Sequence, residues 1–374
     1  MADDLLPTPV RLSQLGELAA AVPHLLGFHP SESLVAVSLR GGSGRSARTS
    51  RVGLTARVDL PPAAHRRAVV DQLVGALLTD GPRAVVLVVV SEAADDVAGP
   101  LVPGCGPGTG APAPARAPVA ELPHRALVRE ALLRFTDAGV GVEDAVLVRG
   151  GRWWSYDCAE DCCLPGEGTL LPGGTSPLAA AAAMAGQVVE QERADLERRI
   201  APVGFLAAAG MAVACDEVGT EMSARVDRLG WAALAGESWA LLEDAVARVA
   251  PGTVASLPDR EVARLAWGLL DEEVRDRAMG LTLGRAPSAV EVLWTELTRR
   301  VPPPLDAAPA TLLAVTAWVQ GNGAMANVAL DRALSSQPGY RMAQLLRSAL
   351  DACLPPADVR RLVRDGIGAR RAVG

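Results

Sequence analysis

Apolar residues recur at two periods along this chain, and the change from one to the other divides it. Residues 12–26 place Leu15, Leu18, Ala19, Val22, Leu25 and Leu26 on one helical face, with Pro23 as a break and Gly27 as a stop. The run 33–39 then reads as a strand. A Gly/Ser/Arg-rich loop follows, and 51–60 alternates Val52, Leu54, Ala56, Val58 and Leu60 with polar residues, the signature of a half-buried strand. Pro61-Pro62 opens a helix to about Thr79. Residues 84–90 are uninterrupted Ala, Val and Leu, as expected of a strand covered on both faces. A helix is predicted over 121–138. Strands at 144–148 and 153–157 form a hairpin over Gly150-Gly151. The order predicts a mixed β-sheet flanked by helices.

Beyond Pro177 the period is helical throughout. Helices are expected at 178–199, 203–215, 220–230, 237–249, 259–280, 288–300, 309–320, 324–336, 340–352 and 355–366. Leu313, Ala314 and Ala317, the Gly321-Asn322-Gly323 turn, Ala326, Leu330, Ala333 and Pro338 fit the packing positions of one tetratricopeptide-like helix pair. The expected fold is therefore α/β or α+β in front and all-α behind. We divide it into an α/β domain at 1–163, a linker at 164–177, a helical domain at 178–300 and a tetratricopeptide-like tail at 305–374. Residues 97–120 are Pro/Gly/Ala-rich and read as a disordered insertion within the first domain.

Composition removes several functions. None of the 374 residues is lysine, so all 36 basic residues are arginine. Schiff-base lysines, lysine-held pyridoxal phosphate and the lysines of P-loops and kinases are thereby excluded. The net charge of -7, without a basic block, argues against nucleic acid and anionic membranes as partners. The start is acidic and unlike a signal peptide. The longest uncharged apolar stretch, 200–215, has 16 residues against about 20 for a bilayer span, and reads as one or two core helices. Six cysteines without a leader suggest reduced thiols in a cytoplasm.

Two clusters could carry chemistry. His29, Ser31 and Glu32 precede the first strand and offer an imidazole, a hydroxyl and a carboxylate for acid–base work; the alternative is a turn held by Ser31 or Ser33. Cys158, Cys162 and Cys163 follow the hairpin as C-x3-C-C. With Cys105, His29 or His124 as a fourth ligand they could hold zinc, although a usual zinc knuckle is C-x2-C. Asp157, Glu160 and Asp161 beside them disfavour a reactive thiolate. No other cofactor is indicated.

Leu25-Leu26-Gly27-Phe28-His29-Pro30 with Ser33-Leu34-Val35, then 52–60, then Gly151-Arg152-Trp153-Trp154-Ser155-Tyr156 with Cys158, Cys162 and Cys163, and finally 321–334 with Pro338-Gly339-Tyr340, resemble domain-of-unknown-function family 4192. The resemblance spans roughly 9–365. It implies a high-GC Gram-positive bacterial source, in keeping with the absence of lysine, and no assigned activity. The leading expectation is a protein-interaction or regulatory module whose helical tail takes a protein or peptide. Alternatives are an enzyme or small-ligand-binding domain with a site near His29 and residues 153–163, and a structural metal-binding protein using the three cysteines.

Overall fold

The computed structural model describes residues 15–41, 50–97, 120–158, 160, 163, 165–173, 188–249, 257–284 and 286–371. They fall into two units. One holds Arg11–Val22 and Pro30–Ser176, the other Pro23–His29 and Pro177–Gly374. The residues read above as a helical domain and a separate tail belong to one unit.

The first unit is built on a six-stranded mixed sheet. Its strands are β1 (Ser33–Gly41), β2 (Ser50–Asp59), β3 (Ala84–Val90), β6 (Gly141–Arg149), β7 (Arg152–Ser155) and β8 (Thr169–Leu170), in the order β2-β1-β3-β6-β7-β8. A separate pair joins β4 (Asp96–Val97) to β5 (Ala120–Glu121). The insertion expected at 97–120 is thus bounded by paired residues at both ends, and 98–119 lie outside the described residues.

β3 and β6 run parallel, and the other pairings in the sheet are antiparallel. The parallel pair requires a crossover, supplied by α3 (Arg125–Asp137). α2 (Arg66–Leu78) makes the corresponding crossover from β2 to β3. Both cross in the same direction and so lie on one face, where Arg134 Nε meets Asp71 Oδ1 at 2.6 Å. Their Val70, Leu73, Leu77, Leu127, Ala131 and Phe135 pack on Leu34, Ala36, Leu87, Val89 and Leu147. Val35, Val37, Val86 and Val88, pointing the other way, are equally buried. Continuous apolar runs are what a two-sided sheet core demands. The hairpin over Gly150 and Gly151 forms as expected, with positive φ at both (54° and 72°).

β2 departs from regular pairing once. Val37 faces Thr55 but Leu39 faces Val52, so Gly53 and Leu54 share one partner, Ser38. This bulge frees the Leu54 N–H, which donates to Asp80 Oδ2 at 3.0 Å, while the Ser38 hydroxyl donates to the same oxygen at 2.6 Å.

α1 (Leu15–Leu26) runs through Pro23, against the expected break. Pro23 sits in the last turn, where little of the helix remains to be disrupted, and its carbonyl accepts from Gly27 N at 2.8 Å to close it.

The second unit is helical. Its elements are α4 (Arg193–Arg199), α5 (Phe205–Leu229), α6 (Trp231–Arg248), α7 (Asp259–Gly268), α8 (Glu272–Met279), α9 (Pro287–Arg300), α10 (Ala307–Val319), α11 (Gly323–Ser336), α12 (Arg341–Asp351) and α13 (Pro356–Arg371). Several boundaries differ from expectation; the helix expected at 237–249, for one, already begins at Trp231. Of the helix expected at 178–199, residues up to 187 lie outside the described ones, and the described helix begins at Arg193.

The helices expected at 203–215 and 220–230 are the single α5. Gly219 does not break it, because the Trp267 ring lies where a Cβ would stand (2.4 Å) and the Trp267 indole N–H donates to Cys215 O at 2.9 Å. Packing here overrides the low helix propensity of glycine. The helix expected at 259–280 is interrupted at Asp271, whose carboxylate accepts from the N–H groups of Glu273 and Val274 and starts α8.

The apolar stretch 200–215 is only partly core: Phe205 and Leu206 are each 84% exposed. No helix among the described residues is long and apolar enough to cross a membrane. α10 is buried along its whole length.

Candidate functional site

The best-defined polar cluster lies at the carboxyl end of β3. Ser91, the residue after that strand, is 1% exposed. Its amide donates to Val148 O at 3.2 Å, continuing the parallel ladder to β6. Its hydroxyl lies 2.8 Å from Glu32 Oε2 and 3.0 Å from His124 Nε2, and accepts from Ala93 N at 3.2 Å. Glu32 stands just before β1, which runs antiparallel to β3, so pairing of Ser33 with Val90 carries Glu32 to Ser91. His124 stands just before α3, the crossover helix that returns the chain from β3 to β6.

Backbone strain marks the same point. Among the described residues three non-glycines have positive φ, and two of them are Glu32 (39°) and His124 (60°). A left-handed conformation costs an L-residue roughly 1–2 kcal/mol. Both side chains meet on one serine hydroxyl. Strain of this kind persists where the surroundings over-determine it, and it concentrates at functional sites.

The segment after Ser91 is held firmly. Glu92 N donates to Glu32 Oε1 at 2.8 Å, and Gly150 N donates to Glu92 Oε1 at 3.1 Å. Arg149, at the end of β6, donates to Ala93 O (2.7 Å), pairs with Asp95 (2.9 Å) and stacks 4.9 Å from the centre of the Trp154 ring. Tyr156 donates its hydroxyl to Pro123 O at 2.7 Å, fixing the approach to His124; burial pushes that phenol well above its ordinary range. Ser91 and Glu92 were not singled out by the sequence, and His124 entered only as a spare zinc ligand. Nothing local marks them, since no motif spacing joins positions 32, 91 and 124. The one available signal was a polar residue directly after the most apolar strand.

Of the residues singled out before β1, Glu32 takes part in this cluster. Ser31 is exposed, and its carbonyl accepts from the Ser33 hydroxyl (2.5 Å) and Arg57 (3.3 Å). His29 belongs to the helical unit. Its amide donates to Glu190 O at 2.9 Å. Burial first, and the neighbouring His29 second, lower the His24 imidazole below its usual range.

Gly27 has φ +81° and lies against Asn322, whose carboxamide would be 3.0 Å from an added Cβ. Asn322 caps α11 by accepting from Met325 N at 3.0 Å. The Gly27 and Asn322 motifs therefore meet as a packing contact within the helical unit. Gly27→Ala is expected to lower its stability by roughly 2 kcal/mol. Gly321→Ala, at φ +89° with open space around it, should lose only the strain part. Thermal unfolding followed by circular dichroism compares the two; equal losses would refute the contact.

Of the cysteines, Cys163 is buried, with its sulfur accepting from Ser155 N at 3.3 Å, and Cys158 is half-buried; neither is disulfide-bonded. Cys162 and Cys105 lie outside the described residues. Among the described residues no three His, Cys, Asp or Glu side chains gather as metal ligands. Ser155 Oγ instead donates to Asp144 at 2.9 Å, and burial raises that carboxyl above its usual range. In the helical unit an open depression of about 550 Å³ between α6 and α7 is lined by Asp244, Arg248 and Glu261, which pair with one another.

No curated protein and no solved structure matches the chain. One family model does, over residues 16–357, which includes Glu32, Ser91, His124 and the Gly27–Asn322 contact. The chain belongs to the family described as domain of unknown function DUF4192.

Proposed function

We propose that the sheet unit carries a small-molecule site at the carboxyl end of β3, with His124 as its hydrogen-bonding and acid–base group and Glu32 as its charge. The observation that carries this reading is the convergence of two strained, non-glycine residues on the buried Ser91 hydroxyl. The ends of parallel strands are a common ligand position in α/β sheets. The exposed carboxylates of Glu32 and Glu92 make this end unfavourable for anions. The ligand is therefore a neutral or cationic polar molecule. A peptide groove along the tetratricopeptide-like pair has less support, because every residue of α10 is buried. We place the protein in the reducing cytoplasm of a high-GC bacterium, where Cys158 and Cys163 remain thiols.

The test is a thermal-shift screen of neutral and cationic metabolites, followed by titration calorimetry. A binder should lose at least about tenfold in affinity in His124→Ala and in Glu32→Ala, the loss of one charge-assisted hydrogen bond. A binder unaffected by either substitution, or a screen without binders, overturns the proposal.

A further inference from the structure

The three hydrogen bonds at Ser91 cannot take their protons in any order. Glu32, as a carboxylate, only accepts. Its Oε2 lies 2.8 Å from Ser91 Oγ, so the serine proton must lie between them. Ala93 N–H occupies one acceptor position on Oγ. The hydroxyl then has no proton left for His124, and the 3.0 Å contact with Nε2 requires the imidazole to be the donor. A neutral His124 consequently carries its proton on Nε2 and a lone pair on Nδ1. That lone pair is not used to cap α3, since the imidazole makes no cap hydrogen bond.

We propose that Ser91 is a positioning residue: with Glu32 it fixes the proton of His124 on Nε2 and keeps Nδ1 as an acceptor for a ligand N–H or O–H. This rests on the reading of His124 as the working group, and it narrows the ligand to one presenting a hydrogen-bond donor. If chemistry follows, it is a proton transfer. The ligand's proton moves to the Nδ1 lone pair, the imidazole becomes an imidazolium, and its positive charge is met through Ser91 by the Glu32 carboxylate. The Nε2 and Ser91 protons stay where they were.

Glu32→Gln is the discriminating variant. Glu92 N donates to Glu32 Oε1, so the carboxamide introduced at position 32 must set its oxygen there and turn its NH2 towards Ser91. Ser91 Oγ then accepts from that NH2 and from Ala93 N–H, and its own proton turns to His124 Nε2. The imidazole proton moves to Nδ1. An imidazole in water itself favours Nε2–H, so this reversal is not a default that any loosened site would show.

The measurement is long-range 15N–1H correlation of the histidine rings in the full chain at about pH 8, where an unperturbed imidazole is neutral. The His124 signals are identified by their loss in His124→Ala. Wild type should show the Nε2–H pattern, Glu32→Gln the Nδ1–H pattern, and Glu32→Gln with Ser91→Ala a return to Nε2–H. Glu32→Ala, which also frees the serine proton, should move the tautomer the same way and serves if the glutamine variant does not fold.

A tautomer that stays Nε2–H in folded Glu32→Gln or Glu32→Ala overturns the relay, and so does a wild type with the proton on Nδ1. The two proposals fail separately. A reversed tautomer with no ligand affected by His124→Ala ends the ligand-site reading and leaves the relay. A ligand lost in His124→Ala with no reversal does the opposite.

Discussion

Asp306→Ala is expected to destabilise the helical unit by about 3 kcal/mol. Asp306 is fully buried at the start of α10. Its Oδ2 pairs with Arg332 Nη2 of α11 at 2.6 Å, and Ser336 donates to Oδ1. Arg332 is 22% exposed, so alanine at 306 leaves a half-buried guanidinium without its carboxylate. Removing one partner of a buried pair costs far more than the pair contributes as a unit. Urea unfolding followed by tryptophan fluorescence reads the loss, because five of the seven tryptophans lie in this unit. A loss below about 1 kcal/mol, the range of exposed pairs, would show that Arg332 finds water instead.

The pH dependence of the same group has a definite sign. Burial outweighs the pull of Ser336 and Arg332 and raises the Asp306 carboxyl above its ordinary range. The folded chain therefore holds this proton more tightly than the unfolded chain does. The associated stability is fully present below the unfolded carboxyl range and is lost as pH rises through the raised folded value. Asp306→Asn cannot titrate, so wild type should lose stability relative to it across that window. A gap independent of pH would contradict the assignment.

Gly53→Ala should destabilise the sheet unit by about 3 kcal/mol. A Cβ at this bulge would stand 2.0 Å from Asp80 Oδ2 and 2.9 Å from Ser38 Oγ. The carboxylate would have to leave, breaking its bonds from Ser38 and Leu54 N. The Leu54 amide should lose protection from hydrogen exchange first. In an Asp80→Ala background the main obstacle is absent, and the added cost of Gly53→Ala should shrink well below its value in wild type. Additive costs would mean that the bulge and Asp80 are independent.

Much of the architecture was legible in advance because it depends on local period. The run 84–90 announced a doubly covered strand, and Gly150-Gly151 announced the hairpin. Local period fails to set the structure where a tertiary contact outvotes local preference. Gly219 continues α5 because Trp267 fills the space beside it. The break at Asp271 is not legible locally, because its side-chain cap is hidden in an apolar period that runs on past it. The cluster Cys158, Cys162 and Cys163 drew attention by its spacing, whereas Ser91 had none to offer.

By itself, the sequence determined the two-part organisation, the strand and helix periods, the lysine-free chemistry and the family motifs. Each of these is carried by residues close together in the chain. Tertiary structure decided that Glu32, Ser91 and His124 share one hydroxyl across separations of 59 and 33 positions. It also decided that Gly27 rests on Asn322. The physical reason is that strand register and a crossover helix convert distant positions into neighbours. A period of 2 or 3.6 residues specifies the face on which a side chain lies, and not the partner it meets there.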